Sequence, residues 1–315
     1  MVTRIAHFSD THVLSLKGVQ LRELLNKRIT GAVNLALNRA KHYRVEVFEQ
    51  TLDAVLATKP DHSICTGDLV NLALKPEFEK VSELLKERFS PDELTLVPGN
   101  HDYYTKEASL AGRFETYFAD YLPKELNHSQ SLKAATDRHR DQRGEYPISR
   151  LLDEVGIVGI STAIPTASFM ATGEIGEDQL DRLIDLLQQP ALRERFTLLM
   201  LHHPLFPEPK RRLDSTRRLS DADHLIEYLE REEFRADLIV HGHNHEFKRQ
   251  ALPLSETPVI QVASASHAGS THRAEFHMYV IDEGELIRIE RHIHDPDTSL
   301  FIPCDESGLP LVAEA

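Results

Sequence analysis

Five short polar clusters carry the residue types that could do chemistry in this chain. They are Asp10 with His12, Asp68 behind Gly67, Asn100 with His101 and Asp102 behind Gly99, His202 with His203 before Pro204, and His241, His243 and His245 around Gly242 and Asn244. Together they offer carboxylate oxygen, an amide oxygen and imidazole nitrogen, with no thiolate. Neutral imidazole coordinates divalent ions well, and this mixture of donors suits Zn, Mn or Fe rather than Ca or Mg alone. Each cluster taken alone is weak, since Asp caps turns and His is common in loops. What they share is position, because every one follows directly on an apolar run.

Those runs are the elements that must position the donors. Ile5 to Phe8, His62 to Cys65, Leu94 to Val97, Phe196 to Leu201 and Leu238 to Val240 read as short strands, and Val155 to Ile160 as another. Helical stripes separate them. Val45, Phe48, Leu52 and Val55 form one, and Phe78, Val81, Leu84 and Leu85 after Pro76 form the next. Leu180, Leu183, Ile184 and Leu187 form a third, with Glu177 and Asp178 in the first turn where the helix dipole favours acids. A further helix is expected near Asp221 to Arg231. Strand, cluster and helix alternating in this way predict a layered α/β domain. Asp10 and His12 are expected to point the same way from an extended segment, where side chains alternate. After Phe247, the stretches Val259 to Val262, Phe276 to Ile281 and Leu286 to Ile289 predict antiparallel strands closing a second sheet.

Two stretches fall outside this rhythm. Residues 14–44 interleave Leu14, Leu16, Val19, Leu21, Leu24, Leu25 and Ile29 with Lys17, Arg22, Lys27, Arg28, Arg39, Lys41 and Arg44, which predicts a basic amphipathic helical insert. It reads as a packed helix with a solvated basic side, as a cap that recruits an anionic substrate, or as a face resting on an anionic membrane or lipid surface. Residues 103–145 are a polar excursion, partly helical from Leu110 to Phe118. A second basic group, Lys210, Arg211, Arg212, Arg217 and Arg218, follows the His202 cluster.

The chain has 315 residues and a formal net charge of -14, enough for a large core and against a general nucleic-acid binder, which needs a basic face. Its two cysteines, Cys65 and Cys304, lie far apart outside any paired-thiol motif, so neither a disulfide framework nor a zinc finger is expected. The N-terminus runs straight into a strand, with no secretory pattern, and nothing approaches membrane-spanning length. A soluble, cytoplasmic protein of one domain is the expectation.

The ordered set D-x-H, G-D, G-N-H-D, H-x-P and G-H-x-H, spanning residues 10 to 245, resembles the calcineurin-like metallophosphoesterase family, in its class III cyclic nucleotide phosphodiesterase-like branch. The resemblance implies a central sandwich of two mixed sheets flanked by helices, four layers in the order α/β/β/α, with the site at the C-terminal strand ends. It implies two divalent or mixed-valence metal ions drawn from Mn, Fe and Zn. Asp10, His12 and His245 would hold the first, Asn100, His202 and His243 the second, and Asp68 would bridge them. A shared carboxylate and a bridging hydroxide would neutralise two neighbouring cations, and that hydroxide would attack phosphorus in line. His101 would stand beside the phosphate as the acid for the leaving oxygen, with Asp102 orienting it. His203 reads equally as an outer donor or a structural residue, and His241 as an outer or core residue.

The implied activity is hydrolysis of a phosphodiester or phosphomonoester on a small anionic substrate. The alternatives are a nuclease, which the acidic balance disfavours, and a catalytically inactive scaffold, which would be expected to have lost ligands. Cyclic nucleotides, glycerophosphodiesters, lipid-attached nucleotide sugars and protein phosphates all remain open as substrates, because such a centre reads only the phosphate.

Overall fold

The computed structural model describes residues 1–19, 42–126, 145–167, 170–208, 216–269 and 272–311. Strands are numbered in chain order. β1 (Thr3–Phe8) pairs parallel with β2 (His62–Cys65), and β2 with β3 (Leu94–Leu96). On its other side β1 pairs antiparallel with β10 (Glu275–Asp282), from which β11 (Glu285–Asp295) and β12 (Leu300–Cys304) continue as a meander. In the second sheet β5 (Val155–Gly159), β6 (Phe196–Met200), β7 (Leu238–His241) and β9 (Pro258–Gln261) run parallel. β4 (Ile148–Leu151) and β8 (Lys248–Ala251) close its two edges antiparallel. Both sheets are therefore mixed and six-stranded.

The period of two along each strand builds the layers. Ile5, Ile64, Leu198, Met200, Leu238 and Val240 point into the core between the sheets, with Tyr279 and Ile281 from β10. Their alternates Ala6, Phe8 and Cys65 face outward onto helices α1 (Val45–Ala57) and α2 (Lys75–Lys86), packing on Phe48, Leu52, Phe78 and Val81. Two short helices, α3 (Lys106–Leu110) and α4 (Arg113–Phe118), extend that layer, with the Phe118 ring 6.0 Å from that of Phe78. Leu199, Leu201 and Ile239 face the other way, toward α5 (Glu177–Leu187), the single turn α6 (Pro190–Arg193) and α7 (Ala222–Leu229). The order α/β/β/α follows, with strands buried on both faces because helices cover each sheet.

One expectation is corrected. Val259 to Val262 does join the second sheet, but parallel to β7, while Phe276 to Ile281 and Leu286 to Ile289 belong to the first. Alternation reports which faces are buried and is silent about which strand supplies the hydrogen-bond partner. β4, β8 and β12 escape the sequence reading for a related reason. β8 is Lys248-Arg249-Gln250-Ala251, a charged edge of the kind that discourages pairing with other chains.

Most of the basic insert falls on residues 20–41, and Lys210, Arg211 and Arg212 within 209–215, all outside the described residues; the charged run from Asp137 to Arg143 is outside them too. Lys17 and Arg44 flank the first of these segments and are exposed. Among the described residues no helix is long and apolar enough to cross a membrane.

Burial of histidine in the first sheet gives a stability expectation. His62 is 1% exposed, with Nδ1 on the Asp92 carbonyl at 3.0 Å and Nε2 on Thr95 Oγ1 at 2.9 Å. Burial, helped by Arg150, lowers its pKa to about 4. The folded form therefore keeps His62 neutral while the unfolded chain takes up a proton below pH ~6.5, so this contribution is present above that pH and is lost as pH falls toward ~4. The full effect is about 3 kcal/mol at 1.36 kcal/mol per pH unit. Urea unfolding at pH 7 and pH 4 should show that His62→Gln loses less stability between the two than the parent does; equal losses would disprove the assignment.

Candidate metal centre

Strand ends deliver the donors through turns that bend backward. Asp10, His12, Asp68, His243 and His245 all have positive φ, at 55°, 44°, 54°, 77° and 62°. They are half of the ten non-glycine residues with that geometry among the described residues. Asp and His tolerate this region better than most, yet each such residue costs roughly 1–2 kcal/mol. The expectation that Asp10 and His12 share a face of an extended segment is thus corrected in its cause. They converge because Asp10 N bonds Gly67 O at 2.9 Å and His12 N bonds Asp68 O at 3.0 Å, which locks the first turn onto the second. Close approach explains two glycines. A Cβ on Gly99 would sit on Asp68 Oδ1, and one on Gly242 would sit on Ser9 Oγ and Asp10 Oδ2.

The structure brings Asp10, His12, Asp68, Asn100, His202, His243 and His245 into one cluster, all buried but the partly exposed His245. On one side His245 Nε2 lies 3.1 Å from Asp10 Oδ1 and 3.0 Å from His12 Nε2. On the other, His202 Nε2 lies 3.3 Å from Asn100 Oδ1 and 3.1 Å from His243 Nδ1. Asp68 Oδ2 stands between, 3.7 Å from His12 Nε2 and 3.5 Å from His202 Nε2. Donors sharing an ion at ~2.1 Å are separated by roughly 3.0–3.4 Å at octahedral or tetrahedral angles, so most of these gaps are already those of coordination shells. A second observation agrees: Asp10 Oδ1 is buried and receives no hydrogen bond, a costly arrangement for a carboxylate unless a cation meets it. The donors therefore fit a divalent metal.

Electrostatics point the same way. Asp68 is fully buried, but against that penalty the imidazoles of His202, His101 and His12 hold its carboxyl well below the usual range. Burial opposes a charge on His202, yet Asp68 and Asp10 outweigh it and raise the pKa to about 9. The anions thus draw a proton to the place where a cation would sit. His243 and His203 stay neutral, lowered first by burial and then by neighbouring imidazoles.

The remaining expected site residues divide. The His101 ring stacks on Tyr104 at 5.3 Å and meets His12 edge-on at 4.8 Å, at the mouth of the first donor set. Asp102 does not orient it. The Asp102 carboxylate instead accepts the backbone N–H groups of Leu69, Val70 and Gly99 at 3.0, 3.1 and 2.8 Å, stitching two turns together. Burial and the Asp68 charge push its pKa up to about 8, against the Gly99 and Val70 N–H groups. What orients His101 is the Asn71 carbonyl, 2.6 Å from Nδ1. His203 packs 4.7 Å from the His243 ring with Nδ1 on Thr162 Oγ1 at 2.8 Å. His241 turns away, Nδ1 on the Gly242 carbonyl at 3.1 Å, its pKa lowered to about 4 by burial.

Sequence reasoning missed the partners that hold these groups. Thr66 O accepts His202 Nδ1–H at 2.7 Å, Ser264 Oγ donates to Asp10 O at 2.7 Å, and the Asn244 amide is held by Glu208 and Gln261 at 3.0 and 3.1 Å. Of these partners only Thr66 adjoins a motif, directly preceding Gly67 and Asp68.

The chain matches the family profile of the calcineurin-like phosphoesterases over residues 3–247 and belongs to that family. Comparison with curated proteins finds no match. Among solved structures, a purple acid phosphatase isolated from yellow lupin (Lupinus luteus) seeds is similar at a TM-score of 0.57 and 11% identity, over 100% of this chain and 57% of that one. A Staphylococcus aureus protein assigned as a 5′-nucleotidase is similar at 0.50 and 13%, over 100% of this chain and 55% of that one. The chain spans little more than half the length of these structures, and at such identities the likeness is one of fold.

Proposed function

We propose that the chain is a dinuclear metal-dependent phosphohydrolase, a single metallophosphoesterase domain that cleaves a phosphodiester or phosphomonoester of a small anionic substrate. The observation that carries the reading is the approach of two donor sets to one buried carboxylate oxygen, Asp68 Oδ2, at 3.7 and 3.5 Å. Asp10, His12 and His245 are assigned to one ion, Asn100, His202 and His243 to the other, and Asp68 to both. Bound there, Mn, Fe or Zn would supply an activated water and neutralise charge on the phosphoryl oxygens.

The chain's own groups do the rest. Asp10 and Asp68 balance the positive charge, and the Thr66 carbonyl fixes the His202 ring so that Nε2 faces inward. His101 Nδ1 is committed to Asn71, so a proton delivered to the leaving oxygen comes from Nε2. Thorough chelation followed by reconstitution with Mn, Zn or Fe separately, assayed on cyclic nucleotides, glycerophosphodiesters, lipid-linked nucleotides and phosphoproteins, tests the proposal. Hydrolysis should vanish on chelation and return with metal. Full activity in the chelated protein would overturn it.

A further inference from the structure

We infer that Tyr43 is a positioning residue of this centre, its hydroxyl fixing the ring and tautomer of His245. The inference rests on the metal-centre reading above. Tyr43 Oη lies 2.6 Å from His245 Nδ1, while His245 Nε2 is turned to Asp10 Oδ1 and His12 Nε2 at 3.1 and 3.0 Å. An imidazole that offers Nε2 as a lone pair must carry its hydrogen on Nδ1. Nδ1–H therefore donates to Tyr43 Oη. His202 meets the same need with a main-chain carbonyl that no substitution can remove, whereas His245 depends on a side chain. The dependence matters more at His245, whose side chain is 16% exposed where those of His12 and His202 are fully buried.

Tyr43 is itself held firmly. Its ring meets His12 edge-on at 4.9 Å and His267 edge-on at 5.3 Å, and His267 stacks on His42 at 5.4 Å. The backbone on either side bonds one loop, Ala268 N to His42 O at 2.7 Å and Arg44 N to Ser266 O at 3.1 Å. That loop also holds Asp10, through Ser264 Oγ and through Ala265 N to Ser9 O at 2.8 Å. One scaffold thus fixes both a ligand and the residue that aims a second ligand.

The test measures Mn²⁺ affinities by calorimetry on the whole chain and its variants. Tyr43→Phe keeps the ring and removes the hydroxyl. It should weaken one of two affinities by about 10- to 100-fold and leave the other unchanged, the range expected for losing an outer partner of a ligating histidine. In the Co²⁺-loaded protein, the exchangeable, hyperfine-shifted N–H signal of His245 should be lost to water exchange in this variant while that of His202 persists. Unchanged affinities and both signals intact in Tyr43→Phe would overturn the inference, as would a loss seen only in Tyr43→Leu, which would make the ring's packing the whole effect. If the parent protein itself binds no ion, the metal-centre reading fails first and the inference goes with it.

Discussion

Asp68→Ala should leave purified protein with fewer than one ion per chain and reduce hydrolysis by more than about 10⁴-fold, some 5.5 kcal/mol of barrier. The expectation follows from what the carboxylate touches. Oδ2 faces both donor sets, Oδ1 accepts the His101 backbone N–H at 2.7 Å, and the side chain is almost wholly buried. Two cations a few ångströms apart repel strongly without a shared anion, so neither position survives its loss intact. His12→Ala removes a donor from one set and should mainly weaken one position. Because Asp68 also anchors the turn that carries His101, Asp68→Asn is the companion variant, keeping an acceptor for that N–H while removing the charge. Elemental analysis that finds two tightly held ions in Asp68→Ala would refute the bridging assignment.

His101→Ala should keep two ions and lose activity in proportion to how poorly the leaving oxygen departs. A nitrophenol leaves as a stable anion and needs little help, whereas an alkyl or nucleoside alkoxide needs a proton. The loss of kcat on alkyl esters is expected at about 10²- to 10⁴-fold, the span of general acid catalysis, with a far smaller loss on nitrophenyl esters. Equal losses on both with metals intact would mean that the ring positions the phosphate instead. Loss of an ion would mean that His101 is a ligand, a distinct outcome because His12, Asp68 and His101 offer donor atoms close enough to hold one.

The five clusters that meet at the site were legible in the sequence because each follows an apolar run, a place the chain can identify locally, while the choice of donors within them rested on the family resemblance. The way the donors converge was not. Positive φ at Asp10, His12, Asp68, His243 and His245 is imposed by main-chain bonds between turns far apart in sequence, and nothing local in Asp10-Thr11-His12 announces it. Asp102 was misjudged for the same reason, since its partners are backbone N–H groups at Leu69 and Val70, 33 and 32 residues away. Tyr43 stands 202 residues from the histidine it touches and belongs to no motif. Sheet membership of β10 and β11 likewise depends on a partner, β1, at the opposite end of the chain.

That separation between partners sets a schedule for the protein's birth. Asp10 Oδ2 accepts the backbone N–H of His243, 233 residues later, and the turn that carries His243 follows β7, which pairs with β6. A nascent chain that has emerged only as far as Asn100 holds Asp10, His12, Asp68 and Asn100 without the imidazoles of His202, His243 and His245. Such a chain holds four of the seven donors assigned to the proposed centre. At the ~5–20 residues per second of synthesis, the last of these donors, His245, is made about ten seconds or more after the first. Tight metal retention is then expected to report a complete centre, because a chain truncated before residue 243 lacks His243, His245 and the N–H that Asp10 Oδ2 accepts.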